Sequence, residues 1–483
     1  MAVNHNSPRI HSVKFNILMN VILTTSSFIF PLITVPYVSR ILGPNGTGVV
    51  AWAQTFVSYF SLVALLGINV YGVRECAKVR ENREELSQVV QELLAVLLVS
   101  TSIVYIMYLL FIFTIPRTRE NIPLMLIFSV VIWLASCGLE WFYQAIEQYG
   151  YITVRNIFMK LVALILMFIL VRTPLDYRWY GVTVVVSAYG SNILNVLRLR
   201  KFVDFSMHRH LDLRRHFKAM TSFAVSSISA GMYTQLDMLL IGFLCSNVVV
   251  GLYQLVLKVK GICIAAVNSV GSVMLPRLSY YESKNSRSRT NDLIGKNINM
   301  LFIISLSVMS ILIMGAEPIV SILGGSQFLK ASMALQIIAP TMLFAATNSI
   351  LSQYMVACSM EKQYAAINLF AVVFSLISGI VLINLFSLYG AAASVCLTEF
   401  VALMLRLIIL RDSLRDIQKH LDIGRIVLAA VISFTICWLF VKYLPQMNSF
   451  LLLIVEFISY NLVYLVLLFL FKESLLHTVL RRK

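Results

Sequence analysis

Apolar stretches long enough to cross a bilayer follow one another along this chain with almost nothing between them. Crossing about 30 Å of hydrocarbon takes roughly 20 mostly apolar residues in a helix. Polar or turn-forming residues divide the sequence into fourteen such stretches: 16–39, 48–71, 88–115, 121–147, 151–171, 179–199, 219–244, 249–275, 297–323, 331–357, 363–384, 388–410, 424–444 and 449–471. A soluble chain of this length would be about one-quarter charged. This one is 13% charged and 59% hydrophobic, so its surface suits lipid. It reads as an all-α polytopic membrane protein with about fourteen transmembrane helices. The connections "GPNG", "CSNVV", "SLYG" and "PQMN" leave little room for extramembrane domains. The polar start "MAVNHNSPRIHSVKFN" has no small-residue cleavage site, so the first span is expected to serve as its own insertion signal. Seven cysteines stand singly without a CxxC pair, and they read as packing residues rather than disulfides or metal ligands.

Lys and Arg set the direction of insertion. With a cytoplasmic N-terminus, 30 of the 39 basic residues fall on cytoplasmic segments and 7 on the opposite side, while Lys258 and Lys260 lie within a span. An even number of spans then places both termini in the cytoplasm. The net charge of +17 follows from this asymmetry and needs no nucleic acid. The stretch "RLRKFVDFSMHRHLDLRRHFK" (198–218) is expected to rest on anionic lipid headgroups.

Two episodes recur. "ILGPNGTGVVAWAQTF" (41–56) compares with "FLCSNVVVGLYQLVLKV" (243–259), each a short turn, a glycine and a span carrying glutamine. Gly48 is followed by Gly67 and Arg74, Gly251 by Gly271 and Arg277. "YQAIEQYGYITVRNIFM" (143–159) compares with "YMVACSMEKQYAAINLFA" (354–371), each running from a tyrosine through a polar turn to Asn156 or Asn368. The offset is about 200 to 212 residues. Six spans per unit give two halves of one orientation, related by an axis along the membrane normal, and transporters place their substrate site between such halves. The expected division is 1–215 for a first lobe, 216–411 for a second, and 412–483 for two accessory spans and a tail.

The stretches "LITVPYVSRILGPNGTGVVAWAQTFVSYFSLVALLGINVYGVRECAKVRENREELS", "EWFYQAIEQYGYITVRNIFMKLVALILMFILVRTPLDY" and "YTQLDMLLIGFLCSNVVVGLYQLVLKVKGICIAAVNSVGSVMLPRLS" resemble the bacterial polysaccharide repeat-unit flippases. These are the Wzx-type proteins of O-antigen, capsule and exopolysaccharide synthesis, in the superfamily that also holds multidrug extruders. The resemblance implies a MATE-like fold, two six-helix lobes meeting in a V plus two extra C-terminal helices. It also implies a bacterial plasma-membrane flippase that carries an undecaprenyl-diphosphate-linked oligosaccharide to the outer leaflet by alternating access. A polysaccharide polymerase and chain-length proteins are its implied partners, and no cofactor is. An ion-coupled multidrug extruder of the same superfamily is the alternative. A membrane polysaccharide polymerase is the enzyme rival, and the short outer turns argue against it.

A charged group at bilayer depth costs about 2.5–3.5 kcal/mol on insertion scales, so such groups face a protein interior and often mark function. A lipid-linked sugar needs cations for its diphosphate and hydroxyl, amide or aromatic groups for its head. Arg40, Arg74, Gln54, Gln254 and Lys258 are the candidates for that contact; Arg40 and Arg74 also read as interface anchors. Glu140 lies at the depth of about residue 158 on the antiparallel next span, which points to an ion pair with Lys160 first and Arg155 second. Glu399 shares a helical face with Arg406, seven residues on. Asp237 and Lys258 stand equally far from the turn between Asn247 and Val248, so an ion pair between them is expected, structural or coupled to transport. Nothing resembles a Walker motif, a metal-ligand cluster or a nucleophile elbow, and the chain reads as no enzyme.

Overall fold

The computed structural model describes residues 12–205, 211–271, 287–417, 421–443, 447–471 and 473, and every regular element among them is helical. The chain forms two compact units that divide at Leu239/Leu240. The first holds α1 (Val13–Ala64), α2 (Ile68–Val79), α3 (Arg83–Thr114), α4 (Ile122–Ser136), α5 (Glu140–Ala145), α6 (Tyr149–Leu170), α7 (Tyr177–Tyr189), α8 (Ser191–Leu199) and most of α9 (Leu213–Leu244). The second holds α10 (Asn247–Gly271), α11 (Arg287–Met314), α12 (Ala316–Gly324), α13 (Ala331–Ile338), α14 (Thr341–Ala357), α15 (Glu361–Ile409), α16 (Ile423–Lys442) and α17 (Ser449–Leu470).

Ten helical stretches among the described residues are long and apolar enough to cross a membrane, eleven if the bent pair Pro174–Tyr189 and Ser191–Leu199 is one span. Two of the ten exceed a single crossing: Lys14–Val79 has 66 residues and Glu361–Ile409 has 49. At about 1.5 Å per residue each would overrun the hydrocarbon at least twofold. Each carries its own break. Gly43, at φ 63° and ψ −177°, interrupts α1; that region is essentially closed to any residue but glycine. Pro44 follows as the first residue of the next helix, where its fixed φ suits the start. The expected "GPNG" turn thus shrinks to Gly43. Ser387, at φ 50°, is the break in α15.

Helix α3 shows how single spans are placed. Its N-cap Asn82 accepts from the backbone N–H groups of Glu84 and Glu85 at 3.0 and 3.3 Å, and those two glutamates complement the positive end of the helix dipole. Leu86, Val90, Leu93, Leu97, Thr101, Val104, Tyr108 and Ile112 are buried at three- and four-residue spacing. Leu98, Ile106, Leu110 and Phe113 on other faces are exposed. A helix apolar all round with one buried stripe turns its remaining faces to lipid.

The internal repeat is legible in the backbone. After α5, Glu147 at φ 54° lets Gln148 N–H reach Tyr143 O at 2.9 Å and Glu147 N–H reach Gln144 O at 3.0 Å. After α14, Ser359 at φ 58° lets Met360 N–H reach Met355 O at 2.8 Å and Ser359 N–H reach Val356 O at 3.1 Å. Both are Schellman caps, with the left-handed residue just past the helix, and each pair of positions is 212 residues apart. This register matches Asn156 with Asn368, as expected. It matches Tyr143 with Met355 rather than Tyr354, one residue off the tyrosine alignment, because the tyrosine is not what the turn requires. Arg277 lies outside the described residues.

Candidate functional site

The first unit builds a polar array around a broken span. Helix α4 ends at Ser136 and α5 begins at Glu140, with Leu139 left-handed at φ 52° between them. A break at bilayer depth frees backbone carbonyls that lipid cannot satisfy. Helix α8 supplies the donors: Asn192 Nδ2 donates to Leu134 O at 2.9 Å, and Asn195 Nδ2 donates to Gly138 O. Gly138 is required by this packing, since a Cβ there would stand 2.5 Å from Asn192 Nδ2.

Glu140, just past the break, meets Arg155 of α6, whose Nη2 lies 3.1 Å from Glu140 Oε2. Arg155 Nη1 donates to Ser191 O at 3.0 Å and reaches Ser191 Oγ and Asn192 Oδ1, both at 3.4 Å. Ser191 Oγ in turn donates to Asn156 Oδ1 at 2.7 Å. The Arg155 side chain is 2% exposed and that of Glu140 is 40% exposed, so the pair presents a carboxylate over a sealed cation. Depth along the antiparallel spans favoured Lys160 over Arg155, but the pair is made by Arg155, and rotation is the reason. Five residues turn a helix by about 140°. Lys160 therefore points to α1, donating to Ser26 Oγ at 3.0 Å and Ser27 Oγ at 2.9 Å.

Helix α1 adds exposed polar groups beside that lysine. Asn20, Thr24 and Ser27 recur at helical spacing and all are exposed. Polar side chains at membrane depth normally face a bundle interior or water rather than hydrocarbon. Thr24 and the two serines were not singled out from sequence, because a hydroxyl in a span usually bonds its own preceding turn, as Thr24 does to Asn20 O at 2.8 Å.

The second unit carries a related but different cluster. Arg406 of α15 is 5% exposed. It donates through Nη1 to Asn348 Oδ1 and through Nη2 to Asn368 Oδ1, both at 2.8 Å. Asn348 Nδ2 donates to Glu399 Oε2 at 2.8 Å and to Glu399 O at 3.0 Å. Glu399 thus joins Arg406 through an amide. Gln254 and Lys258 are half-buried on α10 of the same unit.

The remaining candidates are placed singly. Arg40 is exposed and folds back on its own helix, Nη1 to Pro36 O at 3.2 Å. Arg74 is exposed beside Glu75 at 3.7 Å, and Gln54 is half-buried in α1. Asp237, in the first unit, is 9% exposed and within electrostatic reach of Tyr59. Lys258 belongs to the second unit.

Comparison with known proteins gives these observations a context. A family model described as polysaccharide biosynthesis protein matches residues 13–282, and a second, MatE, matches residues 223–381. A putative O-antigen transporter from Escherichia coli K12 is 23% identical over 418 residues, covering 83% of this chain and 97% of that protein. Among solved structures, the lipid II flippase MurJ in an inward closed conformation superposes with a TM-score of 0.76 at 16% identity, covering 95% of this chain and all of that one. An inward-facing multidrug resistance MATE transporter of the MOP superfamily superposes at 0.56 and 14% identity, covering 84% of this chain and 99% of that one. The fold is the MATE-like one that these two structures share, with ten or eleven helical stretches of spanning length among the described residues rather than a confirmed fourteen.

Proposed function

Since the chain belongs to the polysaccharide biosynthesis protein family, we propose that it is a flippase moving a lipid-linked oligosaccharide between membrane leaflets, and not an enzyme. The observation that carries this reading is the array of Glu140, Arg155 and Lys160 with the hydroxyl- and amide-bearing face of α1. Cations suit a diphosphate, and hydroxyl and amide groups suit a sugar, while the lipid tail can stay in the bilayer. Lys160 is the diphosphate contact in this reading, with Arg40, Arg74, Gln54, Gln254 and Lys258 as further contacts. The substrate is an undecaprenyl-diphosphate-linked repeat unit, carried by alternating access from the inner to the outer leaflet of a bacterial plasma membrane, both termini being cytoplasmic. A polysaccharide polymerase and chain-length proteins act on what it delivers.

Deletion should abolish a surface polysaccharide, leave drug resistance unchanged and load the inner leaflet with the lipid-linked intermediate. Lys160→Met should lower export without altering the amount of protein in the membrane. The match of residues 223–381 to the MatE model favours an ion-coupled extruder as the second reading. Drug sensitivity with unchanged surface polymer after deletion would decide for it.

A further inference from the structure

Helices α16 and α17 stand outside the repeat, yet α17 carries a polar stripe inside its packed face. Glu456, Tyr460, Tyr464 and Leu468 recur every four residues, at 3%, 0%, 1% and 0% exposure. Tyr460, Tyr464 and Leu468 belong to an apolar cluster into which Leu306 of α11 and Ile426, Ala429 and Ala430 of α16 also pack. Glu456 Oε2 and the Tyr464 hydroxyl have no protein hydrogen-bond partner, and the Tyr460 hydroxyl lies beside Ser310 of α11. The two tyrosine rings sit 5.5 Å apart. Glu456 Oε2 also abuts the joint between α11 and α12, where a Cβ on Gly315 would stand 3.0 Å away.

A leucine at position 456 would fill such a site at no polar cost, so a carboxyl there calls for an explanation. An ionised carboxylate in this setting needs a cation. Among the described side chains, the charged residues on the helices packed around it turn away: Lys296 of α11, Glu317 of α12, and Arg425 and Lys442 of α16 are all exposed. The other titratable groups nearby are Tyr460, Tyr464 and buried Cys437 of α16. Binding a proton is the other way for a buried carboxyl to shed its charge. The tyrosine hydroxyls, each able to accept and donate, extend the stripe toward Glu473, which is buried just past the helix end.

We propose that Glu456 is a proton-binding site whose loading and release drive export, which makes the proton the coupling ion of the accessory helix pair. This rests on the flippase reading above. The first arm of the test leaves that reading aside: infrared pH titration of the reconstituted full chain, wild type against Glu456→Gln. A protonated carboxyl band present in the wild type at neutral pH, absent from the variant and lost on raising pH supports the site. Identical wild-type and variant spectra overturn it. The second arm measures surface polymer in a deletion strain carrying Glu456→Gln, Glu456→Leu or Glu456→Asp at equal membrane levels. Export should fall about tenfold or more in the first two and persist in the third. Normal export in either the glutamine or the leucine variant overturns the coupling role, and the apolar leucine covers the case in which glutamine fails to fold. If the wild type itself restores no polymer, the flippase reading fails while the infrared result still judges the proton site.

Discussion

Arg155 in the first unit and Arg406 in the second are both buried at membrane depth, and they are satisfied by different chemistry. Arg155 contacts a carboxylate directly, with a backbone carbonyl, a hydroxyl and an amide around it. Arg406 is held by two asparagine amides, and its glutamate stands one residue removed behind Asn348. The scaffolds differ too. The span carrying Glu140 is broken at Leu139, whereas α14, which carries Asn348, runs unbroken from Thr341 to Ala357. The two halves share the cap that follows this span, differ at the break within it and hold different polar contents. A direct ion pair with a half-exposed carboxylate can be opened by competing charge or water; an amide-clamped arginine resists both. The first cluster leaves its paired carboxylate 40% exposed, and it is the one on which the proposed flippase reading draws.

The largest expected effect tests that division. Glu140→Gln removes the counter-charge of a buried guanidinium and should cost about 3 kcal/mol of stability. Glu399→Gln leaves Arg406 both of its amides and should cost about 1 kcal/mol. Thermal unfolding of the detergent-purified protein measures both, and equal losses would erase the distinction. Next in size is Gly138→Ala. Its Cβ pushes Asn192 off the Leu134 carbonyl at the break, a loss of about 2 kcal/mol. At the register-matched Ile350, inside the unbroken helix, Ile350→Val should cost about 1 kcal/mol through lost packing alone. A smaller cost at Gly138 than at Ile350 would mean that the break tolerates side chains.

The smallest effects come from the paired caps. Ser359 holds a left-handed conformation that costs a non-glycine residue about 1 kcal/mol, so Ser359→Gly should stabilise by up to that amount. Glu147 has the same backbone, but its carboxylate takes Arg80 at 2.6 Å. That ion pair is about one-third exposed and contributes roughly 0.5–1 kcal/mol. Glu147→Gly should accordingly come out near zero. A gain at Glu147 matching that at Ser359 would show the ion pair to be idle.

Much of this architecture could be read from residues. Apolar run length gave the helices, and the recurrence of Asn156 and Asn368 at one offset gave the repeat. Antiparallel depth brought Glu140 to the right stretch of α6 but to Lys160 ahead of Arg155, because depth alone does not fix which face a residue takes. The break at Leu139 could not be read, since "ASCGLEW" contains no proline and its glycine is compatible with a helix. Nor could the amide clamp on Arg406. Asn348 and Asn368 are separated from it in sequence, and an asparagine in a span gives no sign of which neighbour it faces. Rotation about the helix axis, rather than depth, was the missing coordinate, as the diversion of Lys160 to Ser26 and Ser27 shows.

The joint at Gly43 also bears on how the molecule meets its surroundings. A protease must draw several residues of substrate into an extended conformation, and an inserted tag needs slack chain on either side of it. One glycine between two helices, the second already begun at Pro44, offers neither. The Ser387 joint is equally bare. At these two connections the protein shows proteases almost no free chain, and any epitope tag inserted there must bring its own slack or unwind a helix.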